Sequence, residues 1–213
     1  MLSYRWPPLC YRPFSMAGDA ARALDAEFPN LDPAVVAAYR AAPSHLRAEI
    51  LDGALVLLPR PRPRHANAAT GLVEELGPPF RRGRGGPGGW VILFEPELHL
   101  GPLPDVVAPD LAGWRRTRMP EIPEEAAITL APDWVCEVLS ERTEKIDRGK
   151  KLRIYRREGV RHCWLVDPRS RVLEVYRLGA EGYVLVDTWE DDATPRAEPF
   201  EAVALELARL WAT

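Results

Sequence analysis

One carboxylate lies inside an apolar segment and is the first residue of this sequence that requires a chemical explanation. Residues 134–139 predict a buried strand, with Trp134, Cys136 and Val138 on one face. The opposite face is apolar as well, except at Glu137. An ionised carboxylate in such surroundings costs several kcal/mol unless a cation or hydrogen bonds compensate it. We therefore expect a positive partner close to this strand.

All the lysines of the chain follow within a few residues. Lys145, Lys150 and Lys151 lie in a segment, 144–158, that predicts a helix ended by Gly159. The other basic residues are arginines. Lysine carries a compact charge whose pKa can be tuned, whereas arginine stays protonated. This placement predicts that a lysine ammonium lies near the strand and compensates the charge of Glu137.

Two carboxylates and a lysine are the parts needed for metal-dependent hydrolysis of a phosphodiester. Carboxylate oxygens hold Mg²⁺ or Mn²⁺, and a lysine stabilises charge near the phosphate. Asp105 would supply the carboxylate that joins Glu137, and Lys151 the ammonium. Because Pro-Asp also occurs at 109–110 and 132–133, the dipeptide alone does not single out Asp105.

Each of these residues also has a simpler interpretation. Asp105 can be a turn residue after proline, and Glu137 can be buried in an ion pair with an arginine. Lys151 can form an ordinary pair with Asp147, which would contribute only a few tenths of a kcal/mol. Glu49, beside a predicted hairpin turn, can simply be solvated.

Length and composition indicate one folded unit. The chain has 213 residues, of which 46% are hydrophobic, enough for one well-packed domain. Residues 1–18 lack periodicity and predict an irregular extension, with the domain over 19–213. Met16 is an alternative start, which would remove the first fifteen residues from the protein.

Charge and cysteine content narrow the class of protein. The net charge of −3 gives no overall attraction to nucleic acid, so polyanion binding would depend on local arginine patches such as 60–64, 81–84 and 115–118. The three cysteines form no CxxC pair, which favours free thiols in a reducing cytoplasm and argues against structural zinc. No apolar run reaches membrane-spanning length.

The elements that must position the candidate residues follow from periodicity and turn signals. Asp52-Gly53 predicts a tight hairpin turn. The predicted helices cover 20–28, 33–42, 65–76 and 144–158, and the predicted strands cover 48–51, 55–58, 90–94, 97–100, 104–107, 134–139, 162–166, 172–178 and 183–189. This order predicts an α/β or α+β domain with a mixed sheet flanked by helices.

Taken together, several segments resemble the Uma-two family of restriction endonucleases, a branch of the PD-(D/E)XK nuclease superfamily. The matching pieces are Glu49–Gly53, the proline-rich run ending in His65, Pro104–Val107, Pro132–Ser140, the residues Asp147, Lys151 and Tyr155, and Gly159–Pro168. They span roughly residues 35–180. The resemblance implies a restriction-endonuclease-like core.

The resemblance also implies roles for single residues. Asp105 and Glu137 would bind the metal, Mg²⁺ or Mn²⁺, and Glu49 would be the upstream acidic residue that helps position metal or water. The superfamily pattern has lysine two residues after the second acid, where this chain has Leu139. Lys151 on the following helix matches the place the lysine takes in this family.

Two further residues match the family without a fixed role. His65 corresponds to a recurrent histidine, and Tyr155 lies one helical turn beyond Lys151, in register with Asp147. Lys145 and Lys150 are interpreted as surface charge.

The expected function is therefore metal-dependent endonucleolytic cleavage of DNA, with a homodimer compatible with cutting two strands. The alternative is a nuclease-fold module without catalysis that binds nucleic acid or a protein. A hydrolase of small phosphate esters is the third interpretation, and a narrow closed pocket would favour it.

Overall fold

The fold contains two β-sheets joined by short crossings and covered by helices. The computed structural model describes Phe28 and residues 30–212. The predicted extension 1–18 and the predicted helix 20–28 therefore lie outside the described residues, apart from Phe28. The fold class is confirmed as a mixture of α and β structure.

The elements are numbered in chain order. The helices are α1 (Pro33–Arg40), α2 (Pro63–Leu76), a π-helical turn (Gly77–Arg81) that extends α2, α3 (Glu144–Ile146, then Asp147–Lys151, then Leu152–Arg157) and α4 (Ala208–Trp211). The strands are β1 (Leu46–Leu51), β2 (Ala54–Pro59), β3 (Trp90–Phe94), β4 (Leu98–Leu100), β5 (Asp105–Val107), β6 (Leu111–Arg115), β7 (Trp134–Val138), β8 (His162–Asp167), β9 (Val172–Leu178) and β10 (Tyr183–Glu190).

The smaller sheet has the strand order β2-β1-β5-β4, and its neighbouring strands are antiparallel. The predicted hairpin joins β1 and β2. Asp52 and Gly53 have φ values of 53° and 73°, the left-handed conformation that a two-residue type I′ turn requires. This turn fixes the register of β1, and thereby the side of the sheet on which Arg47 and Glu49 project.

The larger sheet has the order β10-β9-β8-β7-β6-β3. It is mixed, because β7 and β8 run parallel while the other neighbours are antiparallel. A parallel pair needs a long crossover, and α3 is that crossover. The same connection brings α3 back across β7, so residues of the helix lie over Glu137.

Helix α3 carries an irregularity where the candidate residues are. Its middle segment, Asp147–Lys151, is π-helical between two α-helical ends. Such widened turns occur often at functional sites. The helix ends at Arg157, and Gly159 has a φ of +74°, which agrees with the predicted glycine stop.

Each face of β7 packs against a different apolar cluster. Trp134, Cys136 and Val138 belong to a cluster with α2 and the C-terminal residues. Val135 and Leu139 belong to the cluster that contains Ile154 and Tyr155 of α3. The alternation predicted for this strand is therefore confirmed, and Glu137 faces α3. Cys136 and Cys163 are buried free thiols, as predicted.

Strand β6 was not predicted. Its residues Leu111–Arg115 include Ala112 and Gly113, which have low strand propensity. A Cβ on Gly113 would lie 3.0 Å from the ring of Trp134 and 3.3 Å from that of Trp90. Glycine is present because two indole rings take the space that a side chain would occupy.

Among the described residues, no helix is long and apolar enough to span a bilayer.

Phe200 lies at the centre of an aromatic group that joins the C-terminal segment to the larger sheet. Its ring centroid is 4.7 Å from that of Phe80, 4.8 Å from Trp90, 5.0 Å from Trp134 and 5.6 Å from Trp164. We expect Phe200→Ala to lower the free energy of unfolding by about 3–5 kcal/mol, because it opens a cavity in a packed core. Urea unfolding measures this change. Phe94→Ala, whose side chain is 54% exposed, is the control and should change stability by less than about 1 kcal/mol.

Candidate active site

Five buried charged side chains meet where the two sheets and α3 come together. Glu49 comes from β1 of the smaller sheet and Glu137 from β7 of the larger one. Asp110 lies at the crossing between β5 and β6, and Asp147 and Lys151 lie in the π-helical segment of α3. None has more than 2% of its surface exposed. So many buried charges in one place require mutual compensation.

Lys151 is the common partner of three of the carboxylates. Its Nζ lies 3.1 Å from Glu49 Oε1, 3.2 Å from Glu137 Oε2 and 3.6 Å from Asp147 Oδ1. The side chain is fully buried. The ion pair with Asp147 that the sequence suggested is thus the longest of the three. The cation that pairs with Glu137 is Lys151 and not an arginine.

Glu137 is held at both carboxylate oxygens. Oε2 accepts from Lys151, and Oε1 accepts a hydrogen bond of 2.5 Å from the hydroxyl of Tyr155. Asp147, Lys151 and Tyr155 therefore share the helix face predicted for them, despite the π-helical turn between the first two. All three project toward the strand carboxylate.

Asp110 is fixed beside Glu137 by the backbone of β7. Its Oδ2 accepts a hydrogen bond of 2.7 Å from the Val138 N–H, one residue beyond Glu137, and lies 3.2 Å from His65 Nε2. Its Oδ1 has no hydrogen-bond partner although it is buried. Glu49 also has one bonded and one unbonded oxygen. Its Oε1 accepts a hydrogen bond of 3.2 Å from the Ala108 N–H, and its buried Oε2 has no hydrogen-bond partner.

Arg47 is a second, partly buried cation beside the group. Its Nε lies 3.6 Å from Glu49 Oε1, and its Nη1 lies 3.7 Å from Asp110 Oδ1 and 3.5 Å from Glu95 Oε1. Arg47 and Glu49 are two residues apart on β1, so both project to the same side of the strand. Arg47 was not among the predicted site residues.

Burial and neighbouring charge move the pKa values of these acids in different directions. Burial raises the pKa of Glu137 to about 8, although the Lys151 ammonium opposes the change. Burial likewise raises the pKa of Asp147. Burial also acts to raise the pKa of Asp110, but the hydrogen bond to His65 and the charges of His65 and Arg47 lower it below its usual value. Asp110 is therefore the carboxylate best held in its ionised form.

A cavity of about 450 Å³ opens beside the group. Arg47, His65, Asp110, Glu137 and Asp147 line its inner part. Its outer part is formed by residues 59–64 before and at the start of α2, by 140–143 after β7, and by Pro168 and Arg169. The acids are thus reached through a basic entrance.

Asp105 lies apart from this group. Its Oδ1 accepts a hydrogen bond of 2.5 Å from the Asp52 N–H, and its Oδ2 pairs with Arg157. Both oxygens serve the hairpin turn and the end of α3. The geometry therefore gives no support to a cation shared by Asp105 and Glu137; Asp110, from the second Pro-Asp dipeptide, is the aspartate beside Glu137.

The third Pro-Asp dipeptide is also explained by structure. Asp133 accepts from the Arg115 N–H at 2.8 Å and pairs with Arg118 at 2.9 Å, so it joins the start of β7 to the end of β6. The signal that could have favoured Asp110 is its position directly before a strand that pairs with β7. Recognising that strand required the packing of Gly113 described above.

The residues present fit a divalent cation at Asp110 and Glu137. In the part of the chain that the structure describes, no three Asp, Glu, His or Cys side chains are arranged to surround one cation. Magnesium, however, is commonly held by one or two carboxylates and keeps several waters. The buried Oδ1 of Asp110, which has no hydrogen-bond partner and belongs to a residue lining the cavity, supplies an acceptor atom for such a hydrated ion.

The fold is shared with a solved structure that is described as a nuclease. A crystal structure titled as that of a "putative nuclease" of the DUF820 family from Anabaena variabilis aligns with a TM-score of 0.61 at 20% identity, over 81% of this chain and 94% of that one. The likeness shows a shared fold. No curated protein matches the chain.

The family follows from the sequence itself. A family model named Uma2 and described as "Putative restriction endonuclease" matches residues 36–209. The chain belongs to this family, and the resemblance drawn from its motifs is confirmed.

We predict that stability without metal falls as the pH rises. The folded pKa of Glu137, about 8, lies above its unfolded value of about 4.5, so its contribution is complete below pH 4.5 and lost as the pH rises through 8. The loss is at most about 1.4 kcal/mol per pH unit in that window. Urea unfolding between pH 5 and 8 should show this slope, and the slope should flatten in Glu137→Gln. An equal slope in the variant would contradict the assignment to Glu137.

A second prediction concerns Lys151. Replacing it by methionine leaves three buried carboxylates without their common cation, so Lys151→Met should lower the free energy of unfolding by about 3–5 kcal/mol. Adding Glu137→Gln to this variant removes one of the charges and should recover part of the loss. Additive effects of the two substitutions in urea unfolding would show that the residues do not interact. Lys145→Met, on the exposed side of α3, is the control.

Proposed function

We propose that this protein is a metal-dependent nuclease that hydrolyses phosphodiester bonds of DNA, with Asp110 and Glu137 as the metal-binding carboxylates. The observation that carries the proposal is that these two buried acids line an arginine-rich cavity, while Glu137 and Glu49 share the buried ammonium of Lys151. Family membership independently favours nuclease chemistry.

The charge of the site supports a divalent cation. Glu49, Asp110, Glu137 and Asp147 would carry four negative charges when ionised, against the positive charges of Lys151 and Arg47 and that of His65 when it is protonated. A divalent ion would offset the excess negative charge without a carboxylate having to take up a proton. Burial raises the pKa of Glu137, which supports a neutralising proton or cation at this position.

Each residue of the group then has a definite role. A bound divalent cation supplies Lewis acidity and lowers the pKa of a nearby water. Tyr155 and Lys151 hold Glu137 in one orientation through its two oxygens. The Val138 N–H and His65 hold Oδ2 of Asp110, which leaves Oδ1 directed to the ligand.

Lys151 acts on the phosphate only through the acids in this proposal. Its ammonium is closed off from the cavity and has three carboxylate partners. It therefore positions Glu49 and Glu137 and limits their mutual repulsion. This differs from the direct phosphate contact expected from the sequence.

The entrance of the cavity suits a nucleic-acid backbone. Arg62, Arg64 and Arg142 line it, and among the described residues none of the three forms an ion pair. Arginines at such positions contact phosphates and position the substrate without reading its sequence. Of the three arginine patches named from the sequence, the one over 60–64 lines the cavity and therefore belongs to the proposed DNA-binding surface. An open basic entrance argues against a site restricted to small phosphate esters.

The proposal predicts cleavage of single-stranded, double-stranded or branched DNA in the presence of Mg²⁺ or Mn²⁺, and its loss in EDTA. Asp110→Asn and Glu137→Gln should each lower the rate by at least about 10²-fold, because each removes a metal ligand. Gel assays with labelled DNA measure the rates.

The matched variant Asp105→Asn tests whether Asp105 or Asp110 is the aspartate needed for cleavage. We expect it to keep the wild-type rate within a few-fold, since Asp105 is occupied by Asp52 and Arg157. A loss of cleavage in Asp105→Asn with full activity in Asp110→Asn would restore the role predicted from the sequence. Wild-type protein that binds DNA but cleaves none of these substrates would favour the non-catalytic module.

A further inference from the structure

Arg47 is the partly buried arginine that lines the cavity beside the acids. Its side chain is 14% exposed and lines the cavity together with Asp110 and Glu137. The ammonium of Lys151, by contrast, is sealed among three carboxylates. A phosphate entering from the arginine-lined entrance would therefore meet the Arg47 guanidinium and not Lys151.

The contacts of Arg47 leave hydrogen-bonding capacity unused. Its Nη1 donates one long hydrogen bond of 3.5 Å to Glu95 Oε1, and its distances to Glu49 and Asp110 are 3.6 and 3.7 Å, all longer than the 2.7–2.9 Å typical of charge-assisted hydrogen bonds. Its Nε is buried and has no hydrogen-bond partner. A buried donor without a partner carries a desolvation cost, which an incoming oxygen would remove.

The position of the guanidinium relative to the proposed metal ligands favours a role with the substrate. Nη1 of Arg47 lies 3.7 Å from Asp110 Oδ1, the unpartnered oxygen expected to face the cation. A phosphate bound to that cation would place another of its oxygens within reach of the same guanidinium. Arginine suits this contact because its planar fork matches two phosphate oxygens.

We propose that Arg47 donates hydrogen bonds to the scissile phosphate and stabilises the charge that builds on it in the transition state. The inference rests on the proposed nuclease function and adds to it a residue that neither the motifs nor the family description assigns. The two cations then have different roles, since Lys151 holds the acids and Arg47 contacts the substrate.

Steady-state cleavage of a DNA oligonucleotide in Mg²⁺ tests the inference with three arginine variants. Arg47→Met should lower kcat by about 10²–10³-fold, the effect of removing one preorganised donor, while KM changes by no more than a few-fold. Arg62→Met at the entrance should raise KM and leave kcat nearly unchanged. Arg153→Met, exposed on α3 and outside the cavity, is the matched control and should behave as wild type.

Arg47→Lys covers the case in which Arg47→Met does not fold. It keeps a positive charge beside Glu49 and Asp110 but loses the fork, so kcat should still fall at least about tenfold with the thermal midpoint close to wild type. An active Arg47→Lys, or an Arg47→Met that keeps kcat within about threefold, would overturn the inference and leave the nuclease function intact. Absence of cleavage by the wild type would overturn both.

A measurement independent of turnover uses ¹⁵N-labelled protein. Addition of the oligonucleotide in Ca²⁺, chosen to slow cleavage, should shift the Nε–H resonance of Arg47, because that donor gains a partner. The Arg153 resonance serves as the reference. An unchanged Arg47 signal with bound DNA would contradict the contact.

Discussion

The structure depends on one interaction, the sharing of the Lys151 ammonium by carboxylates from both sheets. Glu49 belongs to the smaller sheet and Glu137 to the larger, and each lies within 3.2 Å of Nζ. Removing a charge from water costs several kcal/mol, so the two sheets and α3 must stay in register for any of these groups to remain buried. The π-helical turn of α3 lies at the same place, since it carries Asp147 and Lys151, and Tyr155 in the α-helical segment that follows bonds the strand carboxylate as well.

The elements that carry a strong local signal could be predicted from the sequence. The Asp52-Gly53 hairpin, the alternating faces of β7, and the helix that ends before Gly159 were all found, because turn chemistry and periodicity are properties of neighbouring residues. Glu137 and Lys151 were recognisable for a related reason. A carboxylate in an apolar strand, followed by the chain's few lysines, is unusual enough to require a partner nearby.

The part that could not be predicted depends on contacts between distant segments. Three Pro-Asp dipeptides are alike in sequence, and what separates them is their surroundings: Asp105 meets Asp52 and Arg157, Asp133 meets β6, and Asp110 meets the Val138 N–H. Strand β6 was not predicted because Gly113 has low strand propensity. The glycine is required there by the rings of Trp90 and Trp134, which leave no room for a side chain. Arg47 looked like one of many arginines until β1 was placed beside Asp110.

The position of the lysine also bears on how the site can work. Leu139 stands two residues after Glu137, where the superfamily pattern has its lysine. The ammonium of Lys151 therefore reaches the acids from helix α3 and not from the strand itself. From that side it touches Glu49, Glu137 and Asp147 but does not line the cavity, whose inner part is lined by Asp110, Glu137, Asp147, His65 and Arg47. A lysine moved behind the acids can hold them together, but it leaves the phosphate without a cation of its own. In the proposed function, hydrolysis of a phosphodiester builds negative charge on the phosphoryl oxygens, which a positive group on the open face would stabilise. Arg47 is the arginine of that face that lies beside Asp110.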